Sequence, residues 1–234
     1  SLRHNRKHGL VAWIGRAVPT QSSAFGASCT IGPHTIGTMQ RSTSSTQSWR
    51  EVLLNLKSRG MNAPKLAIGD GAMGFWAALD EVYPTTRQQR CWQHKTMNVL
   101  NCLPKLSQPK AKAAIHNIWQ AETKDDAQKA FDLFIKIYEP KYPKATLCLQ
   151  KDRTELMAFF DFPAQHWQSI RTSNPIESAF ATIRHRTKRS KGCLSRDGML
   201  HMMFKLGQCA EQNWRKLRGF DYLAKVITGV TFKD

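Results

Sequence analysis

The chain has 234 residues, 41% of them hydrophobic, enough to bury a core, and no apolar run of the ~18 residues that a membrane helix needs, which argues against global disorder and excludes a helical membrane anchor. Its 35 Lys and Arg stand against 17 Asp and Glu, a net charge of +18 with a pI near 10.0, so the expected partner is a polyanion, nucleic acid before a ribosomal or membrane surface. Six cysteines at positions 29, 91, 102, 148, 193 and 209, without a Cys-x-x-Cys pair, argue for reduced thiols and a soluble, cytoplasmic setting.

The first fifty residues contain no acid, six Arg or Lys, and many Ser and Thr. Within them only Gly9 to Ile14 has the pattern of a strand. From Gln47 the pattern becomes regular. Trp49, Val52, Leu53 and Leu56 mark one face of a helix ending near Gly60. Lys65 to Ile68 is a short apolar run closed by Gly69-Asp70-Gly71, which predicts a buried strand. Phe75, Ala78, Leu79 and Val82 predict a helix from Met73 that stops before Pro84. A second strand is expected over Arg87 to Trp92 and a helix over Lys95 to Leu103, completing an α/β arrangement.

Residues 104–165 read as helical throughout. Pro109 opens one helix with Ile115, Ile118 and Trp119 on its apolar side. Thr123, with Asp126 three residues on, starts a second that carries Phe131, Phe134 and Tyr138. A third, after Pro140 and Pro143, is expected to carry Leu147, Leu156 and Phe159.

Two carboxylates stand out in so basic a chain. Asp70 follows a strand and precedes a helix, the edge where parallel α/β sheets bind ligands, and flanking glycines admit a close metal or phosphate. An N-cap for the helix from Met73 is the equally local alternative. Glu177, in Asn174-Pro-Ile-Glu-Ser178, falls at the capping-box position of its own helix, yet it heads a stripe that runs through Ala181, Arg184, Lys188 and Lys191. With Arg186 and Arg189 alongside, that stripe suits DNA phosphates, while Ile176, Phe180 and Ile183 face the core; a solvated charged face is the competing reading. Trp167 is a candidate for stacking on a base or for the core, as are Trp92, Trp119 and His166 for the core, and Met199, Met202 and Met203 read as helix core. Cys91 and His94 form a Cys-x-x-His, too few ligands for zinc and lacking the third group of a nucleophilic pair, so they are expected to shape the site or pack beneath it.

Taken together, Ser48-Trp-Arg-Glu-Val-Leu-Leu54, Ile68-Gly-Asp-Gly-Ala-Met-Gly-Phe-Trp76, Arg90-Cys-Trp-Gln-His-Lys95 and Arg171-Thr-Ser-Asn-Pro-Ile-Glu-Ser178 resemble the Mutator-type transposases of bacterial insertion sequences. Arg184-His-Arg-Thr187 and Lys191-Gly-Cys-Leu-Ser195 fit as well, and the resemblance runs from about Ser45 to the C-terminus. It implies an RNase H-like catalytic core interrupted by an all-helical insertion, with residues 45–103 and 166–234 forming the core and 104–165 the insertion. It also implies an Asp–Asp–Glu trio binding two Mg²⁺ ions, in which Asp70 matches the second Asp and Glu177 the Glu, and Cys91 and His94 match a family signature. The implied activity is metal-dependent cleavage and strand transfer of transposon ends into target DNA, and a homo-oligomer is compatible with it. The chain departs from the family in one respect: no Asp precedes Asp70, and the first acid, Glu51, lies inside a helix. Residues 1–44 are therefore expected to be a frameshifted or degraded stretch, or a genuine basic arm, and the chain to be inactive in cleavage. A non-catalytic DNA-binding remnant that joins and inhibits intact subunits is the alternative.

Overall fold

The computed structural model describes residues 12–13, 46–174, 181, 183–186, 195–211 and 217–232. Among them the architecture is mixed α/β and mostly helical, built around a small parallel sheet. Strand β1 (Ala12–Trp13) lies within the expected stretch and pairs with β2 (Leu66–Gly69), which pairs on its other side with β3 (Arg87–Arg90). Both pairings are parallel, with Ala67 opposite Ala12 and Gln88.

Helix α1 (Thr46–Ser58) precedes β2 and buries Trp49, Leu53 and Leu56, the face that its spacing predicts; Gly60, at φ 90°, ends the turn beyond it. Helix α2 (Met73–Val82) has the expected bounds and returns the chain to β3, as parallel pairing requires. Helix α3 (Trp92–Leu100) begins three residues before its expected start, because the chain turns helical directly after β3 with Cys91 as its N-cap.

The helical segment contains α4 (Gln108–Trp119) and α5 (Lys124–Tyr138), and Thr123 accepts the amide of Asp126 at 3.1 Å as the expected N-cap of α5. The single third helix expected after Pro143 is instead broken into α6 (Pro143–Gln150), α7 (Arg153–Met157) and a 3₁₀ turn over Ala158–Asp161. Leu147, expected in the core, is 65% exposed. Helix α8 (Ala164–Ile170) follows, then α9 (Arg196–Glu211) and α10 (Leu223–Thr228). Met199 on α9 is exposed rather than core, and Met202 and Met203 are half-buried.

The alternation along β2 divides the interior. Leu66 and Ile68 join a core that includes Trp92, Val99, Ile115, Phe131, Leu149, Phe159 and Ile170. Ala67 points the other way, into a smaller core of Trp49, Leu53, Phe75, Leu79 and Val82 from α1 and α2. The sheet and the helical segment thus share one apolar interior. Their polar groups interlock too: the carbonyl of Leu156 in α7 accepts the Trp92 indole N–H at 2.8 Å and the Gln89 amide at 3.2 Å.

Candidate active site at the carboxyl edge of the sheet

Asp70 is half-buried at the carboxyl end of β2, the middle strand. Its Oδ1 accepts the amide of Ala72 at 3.2 Å, an Asx-type turn. The N-cap of α2 is Ala72 and receives no side-chain cap bond, so Asp70 shapes the loop ahead of the helix rather than capping it. One carboxylate oxygen is thereby fixed, and among the described residues no hydrogen bond engages the other.

The glycines on either side of Asp70 make room for side chains of the protein itself. A Cβ on Gly69 would lie 2.8 Å from the Trp76 ring, and one on Gly71 would lie 0.8 Å from Nη1 of Arg90. Gly71 also adopts φ 95°, a conformation that L side chains rarely hold. The Asp70 loop is therefore pinned between an indole and a guanidinium.

Arg90, the last residue of β3, is 9% exposed. Its Nε pairs with Asp152 Oδ2 at 3.0 Å, and the same oxygen receives Lys95 Nζ at 2.5 Å. The Lys95 side chain is fully buried and also donates to the Cys148 carbonyl at 2.5 Å. Burial pushes the Lys95 ammonium below its ordinary pKa, and Asp152 pulls it back up. A buried ammonium persists only when paired in this way.

Cys91 continues the ladder beyond β3, its amide donating to Gly69 at 2.8 Å. Its Sγ is buried and lies 3.2 Å from His94 Nδ1, 3.2 Å from the Ser173 amide and 3.2 Å from Ser173 Oγ. Ser173 Oγ also lies 3.3 Å from His94 Nδ1. Burial pushes the thiol up, but the hydrogen bonds from His94 and Ser173 outweigh it and the pKa falls below its ordinary value. With its sulfur buried and bonded to both His94 and Ser173, the cluster acts as a clasp. With the Trp92 amide bonded to the Arg171 carbonyl at 3.0 Å, the clasp ties residues 171–173 to the end of β3. That brings the segment leading into Glu177 to the edge that carries Asp70. Among the described residues no group of three or more His, Cys, Asp and Glu is placed to hold a metal.

The remaining expected site residues divide. Arg184 and Arg186 are exposed on a helical stretch whose Ile183 is buried, as the expected core face of that helix has it. Glu177, Lys188, Arg189 and Lys191 lie outside the described residues. Trp167 is half-buried against the large core, edge-on to Phe159 and Phe160, with its indole N–H donated to the Phe162 carbonyl at 2.7 Å, which is the geometry of packing. His166 and Trp92 are buried, as the core reading of both anticipates, and Trp119 packs at the core margin. Cys91, Cys102, Cys148 and Cys209 are free thiols, and no helix among the described residues is long and apolar enough to cross a membrane.

Sequence reasoning left Arg90, Asp152 and Ser173 without roles. Arg90 and Ser173 sit inside conspicuous motifs, but Asp152 has no local signal at all; only the tertiary fold brings it to β3.

Comparison with known proteins identifies the family. The profile of the Mutator family of transposases matches residues 32–216. The chain is 56% identical over 191 residues to the transposase for insertion sequence element IST2 of Acidithiobacillus ferrooxidans, covering 81% of this chain and 64% of that relative. It is 48% identical over 188 residues to the transposase for insertion sequence element IS6120 of Mycolicibacterium smegmatis, covering 80% of this chain and 58% of the relative. The chain thus spans about three fifths of the length of these relatives. With a profile match over most of its length and its Asp70, Cys91 and Ser173 motifs converging on one sheet edge, the chain belongs to the Mutator family of transposases.

Proposed function

We propose that this chain is the DNA-binding catalytic-core region of an insertion-sequence transposase, with an RNase H-like core, and that by itself it binds DNA without cutting it. The observation that carries the reading is Asp70, half-buried at the carboxyl end of the central parallel strand in a chain that matches the family over residues 32–216. Asp70 supplies one hard oxygen ligand of the kind Mg²⁺ favours, and Mg²⁺ sites commonly take only one or two carboxylates, with water and phosphate oxygens completing the shell. Asp70 and Glu177 are the residues that would hold the ion. When bound it supplies Lewis-acid activation of a phosphodiester. The residues before Asp70 contain one acid, Glu51, which is exposed on α1 and accepts a hydrogen bond from Gln47 at 3.1 Å. No Asp in that stretch completes the trio, so cleavage is absent or very weak. Association with intact transposase, with loss of activity in the mixed assembly, is compatible with the same fold.

The test uses the purified chain and a duplex carrying insertion-sequence ends. Binding should weaken steeply as salt rises, persist in EDTA and survive D70N and E177Q, with no strand cutting in Mg²⁺ or Mn²⁺. Metal-dependent cutting that disappears in D70N would overturn the inactivity, and affinity indifferent to salt would overturn the DNA-binding reading.

A further inference from the structure

We propose that Arg90 binds a backbone phosphate of DNA immediately beside Asp70, and that Asp152 of the helical segment holds it in position to do so. The inference rests on the DNA-binding reading above. Three observations carry it.

First, Arg90 is nine-tenths buried and its guanidinium lies against Gly71, the residue next to Asp70, close enough that a Cβ there would sit 0.8 Å from Nη1. It is part of the floor of the site. Second, its ion pair with Asp152 engages Nε, and among the described residues no acceptor meets Nη1 or Nη2. A guanidinium has five N–H donors in a planar fork. With Nε turned to Asp152 in an ion contact, the terminal pair remains, whose geometry matches two oxygens of a phosphate. Third, the cluster is not neutral: Arg90 and Lys95 share the single carboxylate of Asp152, and Lys95 spends a further donor on the Cys148 carbonyl. Asp152 therefore leaves one of these two positive charges uncompensated within the trio, and it stands beside the Asp70 carboxylate, whose charge it offsets as an anion approaches. An anion arriving at that edge meets a donor pair that is already oriented and needs no reordering.

The arrangement coincides with the break between α6 and α7. Asp152 sits at that break, as N-cap of α7 without a side-chain cap bond; its carboxylate turns to Arg90 and Lys95 instead. A continuous helix would offer no such freedom at this residue.

The experiment measures the affinity of the purified full chain for a fluorescent duplex across a salt series, comparing wild type, R90Q and, as a control of equal charge loss, K136Q on the exposed side of α5. Folding of each variant is checked by near-ultraviolet circular dichroism and thermal melting. R90Q should lower the slope of log K against log salt by about one, the share of one phosphate contact, with the affinity several-fold weaker, while K136Q leaves both near wild type. Uncharged methylphosphonate linkages, placed one at a time in the duplex, should then reveal a position that weakens wild type but not R90Q. If R90Q does not fold, the triple variant R90Q/K95M/D152N, which leaves no buried charge unpaired, reads the same slope. Wild-type and R90Q slopes that coincide, with no methylphosphonate position distinguishing them, would overturn the proposal. Absence of salt-dependent binding in the wild type would instead overturn the DNA-binding reading on which it rests.

Discussion

Gly71 shows how a single missing methyl group holds an arrangement together. Its φ of 95° and the guanidinium that occupies its Cβ space oppose any side chain there for separate reasons. Alanine in a left-handed conformation costs ~1–3 kcal/mol before any clash is counted, and here Arg90 must also shift away from Asp152. G71A should therefore lower the urea midpoint of unfolding by the equivalent of about 2 kcal/mol or more; an unchanged midpoint would mean that Arg90 does not pack on this residue. His116 gives a second residue-scale expectation. Burial, then the charges of Lys112 and Arg171, hold its imidazole below the ordinary value of 6.5. Between its folded pKa and 6.5 the unfolded chain binds more protons, so this contribution to stability rises with pH and is lost as pH falls below 6.5. Measured from pH 5 to 8, unfolding free energy should decline less steeply on the acid side in H116N than in wild type.

At the scale of elements, local signals and tertiary ones separate cleanly. Helix α5 is set by its own sequence: Thr123 receives the Asp126 amide, and Ala127, Phe131, Phe134 and Ile135 recur on one buried face. T123A should cost about 1 kcal/mol, read from chemical denaturation, because the cap bond has no substitute nearby. Helices α1 and α2 were legible for the same reason, their apolar residues recurring at helical spacing. The break after Gln150 was not legible. Lys151 and Asp152 are neither Gly nor Pro, and what marks the interruption is the Asp152 carboxylate held by Arg90 and Lys95, charges that lie on other elements. The candidate site divides in the same way. Asp70 announced itself through flanking glycines and an apolar run, and Cys91 with His94 through spacing. Ser173, which completes their cluster, belongs to a segment more than seventy residues later in sequence and could be assigned only from the fold.

For the whole molecule, the deciding fact is that the sheet and the helical segment have no separate interiors. Leu66 and Ile68 from β2 lie in the same apolar cluster as Phe131 and Leu149 from α5 and α6. Elements that share a core lose it together, so urea transitions followed by far-ultraviolet circular dichroism and by tryptophan fluorescence should coincide. A helical signal that melted well ahead of the other would show that the two parts fold independently. The smaller core under α1 and α2 meets the larger one across β2, whose four residues are buried on both sides. Loosening at either face is thus felt at the strand that ends in Asp70.

The carbonyl of Leu156 sets a limit on how far this polypeptide can be trimmed. It is the common acceptor for the Gln89 amide and the Trp92 indole, one residue before and one residue after the Arg90–Cys91 corner. Excision of residues 104–165 would strand the Trp92 indole, leave the Gln89 amide with only its bond to the Arg90 carbonyl, remove the counter-charge of buried Lys95 and turn Leu66 and Ile68 toward water. Each of those losses is separately costly in a folded interior. A miniaturised version would have to supply a new oxygen atom at that one point before it could dispense with a single helix.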